Sequence, residues 1–338
     1  MKNIIVSSMD EKSGKTVVAY AIAKMAKRKI GYMKPIGDNV IYKDKKVLDY
    51  DAMLFNDTFK ICDNPEELCM GIHHSKILHF YKDVRKEFMR RYEKIGRNKD
   101  LFIIEGGEFF WKGASISLDA FSIAEKIPAE IVFVVSGEYH EIMDEIYYIK
   151  RMKELPIRGI ILNKTSSQNA EKFIEEMDRI GIKFLGYLPY IKKLRAMKIR
   201  YIVEKMAGNV VAGERGLDKY AENFFIAALS ASEIKRHPDF KKENKLIITG
   251  GDRSDVITAC IEEKTSGVIL TNNIIPSSNI LAKANEMDIP IISVRPDTYT
   301  ISKFVENIQP VILPDEKNKL NEIEKVAKNI QIDEIMRE

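Results

Sequence analysis

One stretch near the N-terminus, residues 8–16, has the residue types of a phosphate-binding loop. It follows a short apolar run and ends in Gly14-Lys15-Thr16, where a helical pattern starts, although Met9 replaces the usual first glycine. In such loops the backbone N–H groups and the helix N-terminus bind phosphates, the lysine reaches the β/γ-phosphates and the hydroxyl coordinates Mg²⁺. The residues expected to bind ATP are Ser13, Gly14, Lys15, Thr16 and Val17.

Two further polar residues stand at the ends of later apolar runs. Lys34 directly follows the run that ends at Met33, and Glu105 follows the very apolar run 101–104. Doubly wound sheets bind ligands at the carboxyl ends of their strands, and Mg²⁺ takes one or two carboxylates together with phosphate oxygens and water. Lys34 is therefore expected to face the phosphates and Glu105 to suit Mg²⁺, while a surface lysine at a strand end is the alternative for Lys34.

Short β-branched runs alternate with amphipathic helical stretches along the chain, which predicts parallel sheets with crossover helices. At about 150 residues per domain, 338 residues fit two domains. We expect an α/β fold with a doubly wound phosphate-loop domain over 1–206 and a smaller α/β domain over 207–338. The predicted strands are 3–7, 30–33, 101–104, 130–135, 157–162 and 183–186 in the first domain, and 245–248, 267–270, 290–294 and 310–313 in the second.

These motifs resemble the dethiobiotin synthetase-like family of P-loop proteins, which includes the N-terminal domains of long phosphotransacetylases and cobyrinic acid diamide synthases. The family has Gly-Thr-Asp-Thr-Glu-Val-Gly-Lys-Thr after the first strand, Lys-Pro-Val after the second, then an Asp, and Glu-Gly-Ala or Glu-Gly-Gly after a later strand. Ser8 replaces the family glycine here. The matching positions, within about residues 1–190, are 8–16, Lys34-Pro35-Ile36, Asp51 and Glu105-Gly106-Gly107.

The resemblance implies a role for each matching residue. Lys15 would bind phosphate, and Lys34 would stabilise the transferring phosphoryl group. Lys12 stands where the family is often acidic, so it would add a third positive group over the phosphates or be an ordinary solvated lysine. Thr16, Asp51 and Glu105 would hold Mg²⁺, and Asn163 stands where the family uses an asparagine for the adenine ring.

The later part of the chain resembles a second family. The segments 246–255, 267–271 and 296–300 occur in the order found in the DRTGG domain, which follows the P-loop domain in long phosphotransacetylases. Asn272-Asn273 departs from that pattern, and an ordinary capped strand-to-helix turn explains residues 249–255 equally well. Because only about 30 residues follow Asn307, we expect no phosphate acetyltransferase domain and no acetyl transfer.

Composition excludes several classes of protein. The formal net charge of +4 is too small for a dedicated nucleic-acid or membrane-surface binder, and no apolar run is long enough for a membrane span. Three scattered cysteines suit neither a disulfide framework nor structural zinc. We therefore expect a cytoplasmic protein without nucleic-acid or membrane partners, and the family resemblance adds a possible homo-oligomer.

The residues of the phosphate loop, together with Lys34, Asp51 and Glu105, suit an enzyme that transfers the γ-phosphoryl group of ATP with Mg²⁺. The acceptor would be a small anion such as a carboxylate or a phosphorylated hydroxy acid. The basic run 76–99 would then form a lip over that acceptor, although a solvated helix face explains it as well. The histidines at 73, 74 and 79 lack a recognised metal-ligand spacing. Two alternatives stay open: a nucleotide-sensing regulator whose DRTGG-like unit binds an effector, and an ATP-dependent carboxylate-activating ligase.

Overall fold

The computed structural model describes residues 1–43 and 46–337 and divides into two compact units, Met1–Ile191 with Val311–Glu338, and Lys192–Pro310. Both units are α/β, as expected. The strands are β1 (Lys2–Ser7), β2 (Ile30–Met33), β3 (Val40–Lys43), β4 (Lys46–Asp49), β5 (Leu101–Glu105), β6 (Ala129–Val135), β7 (Ile157–Asn163), β8 (Phe184–Leu188), β9 (Met197–Lys198), β10 (Asn209–Ala212), β11 (Tyr220–Ala221), β12 (Asn223–Ile226), β13 (Lys245–Gly250), β14 (Gly267–Thr271) and β15 (Ile291–Ser293). The α-helices are α1 (Lys15–Ala26), α2 (Tyr50–Phe59), α3 (His74–Phe80), α4 (Val84–Gly96), α5 (Ala120–Lys126), α6 (Tyr139–Arg151), α7 (Ser167–Ile180), α8 (Ile199–Met206), α9 (Ala231–Ile234), α10 (Ser254–Glu262), α11 (Ser278–Glu286), α12 (Thr298–Asn307), α13 (Lys317–Ala327) and α14 (Ile332–Met336).

The first unit is built on a six-stranded, all-parallel sheet in the order β2-β5-β1-β6-β7-β8. Ile4, Ile5 and Val6 of the central strand β1 are fully buried, as a parallel sheet covered on both faces requires. Strands β2 and β5 lie on one side of β1, and β6, β7 and β8 lie on the other. The sheet is therefore built outward from β1 in both directions, which confirms the doubly wound topology. The carboxyl ends of β1, β2 and β5 are neighbours at one edge, so the residues that follow them meet there.

A β-hairpin that the sequence analysis did not predict follows β2. Strands β3 and β4 pair in antiparallel fashion, with Val40 opposite Asp49. Asp49 then caps α2, because its Oδ1 accepts hydrogen bonds from the backbone N–H groups of Asp51 (2.9 Å) and Ala52 (3.1 Å). The hairpin and cap together fix Asp51 in the first turn of α2.

The second unit contains a five-stranded sheet in the order β10-β15-β14-β13-β12, in which only β10 is antiparallel. Its core includes the fully buried Ile247, Val256 and Val268. The segment 210–228, which lies in the predicted second domain but in none of its predicted strands, contributes β10 and β12 here. Across the described ranges of both units, the helices are too short or too polar to span a membrane.

The C-terminal segment differs from the sequence expectation. Residues 310–313, predicted as a strand, lie outside the sheets, although Val311, Ile312 and Leu313 are buried. Residues 311–338 belong to the first unit rather than to the second, where the predicted boundary placed them. Hydrogen bonds explain this placement: Tyr20 Oη donates to Glu324 Oε1 (3.3 Å), and the N–H of Gln331 donates to the carbonyl of Leu185 (2.9 Å).

We expect Ile323→Ala to loosen the first unit selectively. Ile323 lies in α13 and is fully buried, and truncating such a side chain costs about 2–5 kcal/mol. Hydrogen exchange should therefore accelerate in α1 and β8 while β13 and β14 keep their protection, and the exposed Asn321→Ala on the same helix should change neither. Faster exchange confined to residues 192–310 would contradict the assignment of α13 to the first unit.

Candidate active site

The predicted phosphate loop connects β1 to α1 and has a constrained backbone. Gly14, at the N-cap of α1, has a φ of 90°, and a Cβ atom there would lie 2.1 Å from Asn163 Nδ2. Asn163 Nδ2 donates to the carbonyl of Ser13 (2.7 Å), so the end of β7 supports the loop from behind. Only glycine fits this position, both for its positive φ and for the close approach of Asn163.

Lys15 and Thr16 open α1 and point toward neighbouring strand ends. Lys15 is buried, and its ammonium donates to Ser8 Oγ (2.9 Å) and to the carbonyl of Glu108 (3.0 Å). Burial lowers the pKa of Lys15 from its usual value, although the nearby carboxylates of Asp38 and Glu105 oppose this. Thr16 Oγ1 donates to Glu105 Oε1 (2.7 Å), so two of the expected Mg²⁺ ligands are in contact.

Lys34, at the end of β2, lies at the centre of a buried carboxylate cluster. Its Nζ is 2.5 Å from Asp51 Oδ2, 3.0 Å from Asp38 Oδ2 and 3.1 Å from Glu105 Oε1. Burial alone would lower the pKa of Lys34, but these carboxylates raise it well above its usual value, so the amine is charged. The structure thus brings together Lys15, Thr16 and the predicted residues of β2, α2 and β5.

Three members of this cluster were missed by sequence reasoning. Asp38 pairs with Lys34 four residues earlier, and Asp49 is fully buried beneath α2. Tyr32 Oη donates to Glu105 Oε2 (2.8 Å), while its ring stacks on Phe55 at 3.8 Å. The available signals were weak: a carboxylate four residues after Lys34, and an Asp that precedes a helix.

The cluster carries an excess of negative charge. Four carboxyl groups, those of Asp38, Asp49, Asp51 and Glu105, act on the ammonium groups of Lys15 and Lys34. Burial, with the charge of Asp51 added, raises the pKa of both Asp49 and Glu105, the response expected of crowded carboxylates. A divalent cation fits this charge imbalance, and hydroxyl and carboxylate oxygens are the ligands that Mg²⁺ prefers.

The expected Mg²⁺ ligands are not arranged as a preformed cage. Within residues 1–43 and 46–337, no group of three or more His, Cys, Asp or Glu side chains is placed to hold a metal ion. The ammonium of Lys34 lies between Asp51 and Glu105 instead. Mg²⁺ bound through one or two carboxylates and substrate phosphates needs no such cage, so Thr16, Asp51 and Glu105 remain suitable ligands.

Other predicted residues occupy different surroundings. Lys12 is exposed, and its backbone carbonyl accepts a hydrogen bond from Lys164 Nζ (2.6 Å), whereas Val17 is half-buried in α1. In the predicted basic lip, Arg91 instead packs inward, donating to the carbonyls of Glu66 (2.9 Å) and Cys69 (2.8 Å). Arg91 is therefore a structural residue that holds the segment after α2.

Comparisons with known proteins agree with the two resemblances. Residues 2–198 match the AAA_26 family model, described as an AAA domain, and residues 201–308 match the DRTGG domain. The first match covers more than half of the sequence, so this chain belongs to the AAA_26 family of P-loop domains, here followed by a DRTGG domain.

Curated relatives share this arrangement at low identity. The phosphate acetyltransferase of Nitratidesulfovibrio vulgaris is 22% identical, over 94% of this chain and 49% of that protein, and the one from Synechocystis is 20% identical over the same shares. The chain thus spans about half the length of these relatives. The solved MinD cell division protein of Aquifex aeolicus aligns with 57% of this chain and 84% of its own, at 16% identity and a TM-score of 0.36.

A carboxyl pair lies at the start of the phosphate loop. Glu145, on α6, lies near Asp10 of the loop, so that the two carboxyl groups interact. Burial, together with the neighbouring carboxyl group of Asp10, raises the pKa of Glu145 to about 8. At neutral pH the raised pKa favours the protonated form of Glu145 in the folded protein, whereas an unfolded chain would carry it ionised.

We expect Glu145→Gln to remove a pH-dependent loss of stability. A carboxyl group whose pKa is raised by folding destabilises the protein progressively as the pH rises through the unfolded value toward about 8. The variant should therefore have a Tm close to wild type near pH 5 and a higher Tm than wild type near pH 9. Exposed Glu171→Gln on α7 is the matched control. A Tm difference that stays constant across this range would be inconsistent with the raised pKa.

Proposed function

We propose that this chain is an ATP-dependent phosphotransferase, a small-molecule kinase that moves the γ-phosphoryl group of ATP to a small anionic acceptor. The observation that supports this best is the position of Lys34, a buried, charged amine beside the phosphate loop. Nucleotide binding alone is served by the loop and Lys15. A second ammonium group is useful where a phosphoryl group in transfer develops charge.

The two lysines and the expected Mg²⁺ ligands of the cluster then each have a task. Lys15 and the loop N–H groups bind the β- and γ-phosphates, and Lys34 binds the transferring group. Thr16, Asp51 and Glu105 would hold Mg²⁺, which when bound neutralises phosphate charge. Tyr32 and Thr16 orient the Glu105 carboxylate through hydrogen bonds of 2.8 and 2.7 Å. Such positioned charges lower the barrier because they need little reorganisation during the reaction.

The most specific acceptor candidate is mevalonate 3-phosphate, which would make the protein a mevalonate 3-phosphate 5-kinase of an archaeal route to isoprenoids. This substrate combines a carboxylate, a phosphate and a free hydroxyl group. A carboxylate acceptor, giving an acyl phosphate as in an ATP-dependent ligase, would use the same lysines.

A regulatory function is the second candidate, because residues 192–310 form a compact unit with a core of their own. In that case the P-loop unit would sense nucleotide and the DRTGG unit would bind an effector. Lys34 discriminates between the kinase and the regulator, because only a kinase needs its charged ammonium group to turn over ATP.

The test is ADP release from Mg²⁺-ATP with a panel of carboxylic acids and phosphorylated hydroxy acids that includes mevalonate 3-phosphate. For a kinase, Lys15→Ala should abolish acceptor-dependent turnover, and Lys34→Ala should lower kcat by about 100-fold or more while ATP still binds. Both variants lose a positive charge, so the exposed Lys172→Ala on α7 serves as the matched control and should behave as wild type.

Two results would count against the kinase. One is tight ATP binding without acceptor-dependent ADP release across the panel, which favours the regulator. The other is a Lys34→Ala variant with undiminished turnover, since no other buried amine contacts Asp51 among the ion pairs of the described residues.

A further inference from the structure

The carboxylates around Lys34 have unequal tasks, and one of them is left without a task. Asp51 and Glu105 are suited to Mg²⁺. Both oxygens of Asp49 accept backbone N–H groups, Oδ1 from Asp51 and Ala52 and Oδ2 from Asn39 (3.3 Å), so Asp49 is a structural cap. Asp38 contacts Lys34 at 3.0 Å, is not among the side chains that cap the helices of the described residues, and is not among the expected Mg²⁺ ligands.

Asp38 is more accessible than the other carboxylates that contact Lys34. Its side chain is 11% exposed, against 8% for Asp51 and 1% for Glu105. Its charge also acts on Lys15, where it is the largest of the neighbouring charges. Asp38 therefore contacts one of the phosphate-binding lysines directly and acts electrostatically on the other.

The backbone that carries Asp38 is held firmly in place. The N–H of Gly37 donates to the carbonyl of Gly71 (2.8 Å), and the N–H of Met70 donates to the carbonyl of Pro35 (3.0 Å). A Cβ atom at residue 37 would lie 2.6 Å from Asp49 Oδ2 and 3.0 Å from Cys69 Sγ, so this segment packs tightly on the buried cap. This fixed backbone sets the position from which the Asp38 carboxylate contacts Lys34.

We infer that Asp38 is the general base of the phosphoryl transfer and that it selects a hydroxyl group as the acceptor. This inference rests on the kinase proposed above. The Asp38 carboxylate takes the proton of the acceptor hydroxyl as that oxygen forms a bond to the γ-phosphorus. The bond between the γ-phosphorus and the β,γ-bridging oxygen breaks, ADP leaves with that electron pair, and the proton passes from Asp38 to water.

The same geometry disfavours an acceptor that would attack the γ-phosphorus through a carboxylate oxygen. Such an oxygen has no proton to give up, and it would meet the negative charge of Asp38 directly. Lys34 would hold the transferring group while its contact with Asp38 keeps the carboxylate aimed at the acceptor. A hydroxyl acceptor uses both groups, one as the charge stabiliser and one as the base.

The experiment compares Asp38→Asn with Asp38→Ala. The asparagine side chain keeps an oxygen that can accept a hydrogen bond from Lys34, but it cannot act as a base. Asp38→Asn therefore distinguishes a general-base role of Asp38 from a role that only positions Lys34. We expect both variants to lower kcat with a hydroxyl acceptor by about 100-fold or more, and to lower acceptor-free Mg²⁺-ATP hydrolysis as well, since water is also deprotonated as it attacks. ATP binding and Tm of Asp38→Asn should stay close to wild type, as should turnover of the exposed control Asp63→Asn.

Each other outcome has a definite meaning. Wild-type turnover in Asp38→Asn, with loss only in Asp38→Ala, would make Asp38 a positioning residue and overturn the inference while leaving the kinase intact. Turnover of carboxylate acceptors alone, unaffected in Asp38→Asn, would also overturn it. If the wild-type protein binds ATP but releases no ADP with any acceptor or with water, the proposed function itself fails, and Asp38 with it. If Asp38→Asn loses ATP binding or fails to fold, Asp38 is structural and the inference is wrong.

Discussion

The interaction on which this site depends is the burial of one lysine ammonium among three carboxylates. Lys34 lies within ion-pair distance of Asp38, Asp51 and Glu105, and without it these buried carboxylates would lose the positive charge that offsets their mutual repulsion. Its burial is tolerated because each carboxylate is itself tied to a rigid element. A phosphate group entering the site would compete with these carboxylates for Lys34, and a cation would compete with Lys34 for the carboxylates.

The fold serves this interaction by bringing strand ends together. Parallel strands β2 and β5 are neighbours, so Lys34 and Glu105 leave the sheet side by side, while β1, next to β5, delivers the phosphate loop. The hairpin β3–β4 and the cap at Asp49 return the chain so that Asp51 faces Lys34. Arg91 anchors the segment that follows α2. Helix α13 covers α1, and its Glu324 pairs with Lys24 of α1 at 2.9 Å.

The sequence predicted those parts of the site that depend on local pattern. Lys34 and Glu105 each follow an apolar run directly, and Lys15 and Thr16 end the loop that follows the first apolar run. Parallel-sheet geometry then places all four at one edge. Asp49 was not predicted because it ends a hairpin with no turn signature strong enough to identify it. Asp38 was not predicted because its segment is held by hydrogen bonds to residues 70 and 71, which are distant in the sequence. The run 311–313 was mistaken for a strand because a short buried apolar run looks the same in a sheet or in a packed connection. The packing of α13 against α1 depends on tertiary contacts, which the hydrophobic periodicity of the sequence does not predict.

The most direct test of the central claim is a crystal structure of the full chain with Mg²⁺ and a non-hydrolysable ATP analogue. We predict a cation on Thr16 Oγ1 and a carboxylate of Asp51 or Glu105, with Lys34 Nζ turned to the γ-phosphate and still in contact with Asp38. The claim that Lys34 exchanges carboxylates for phosphate would be contradicted by phosphates seated on the loop while Lys34 stays between Asp51 and Glu105 and no cation contacts Thr16.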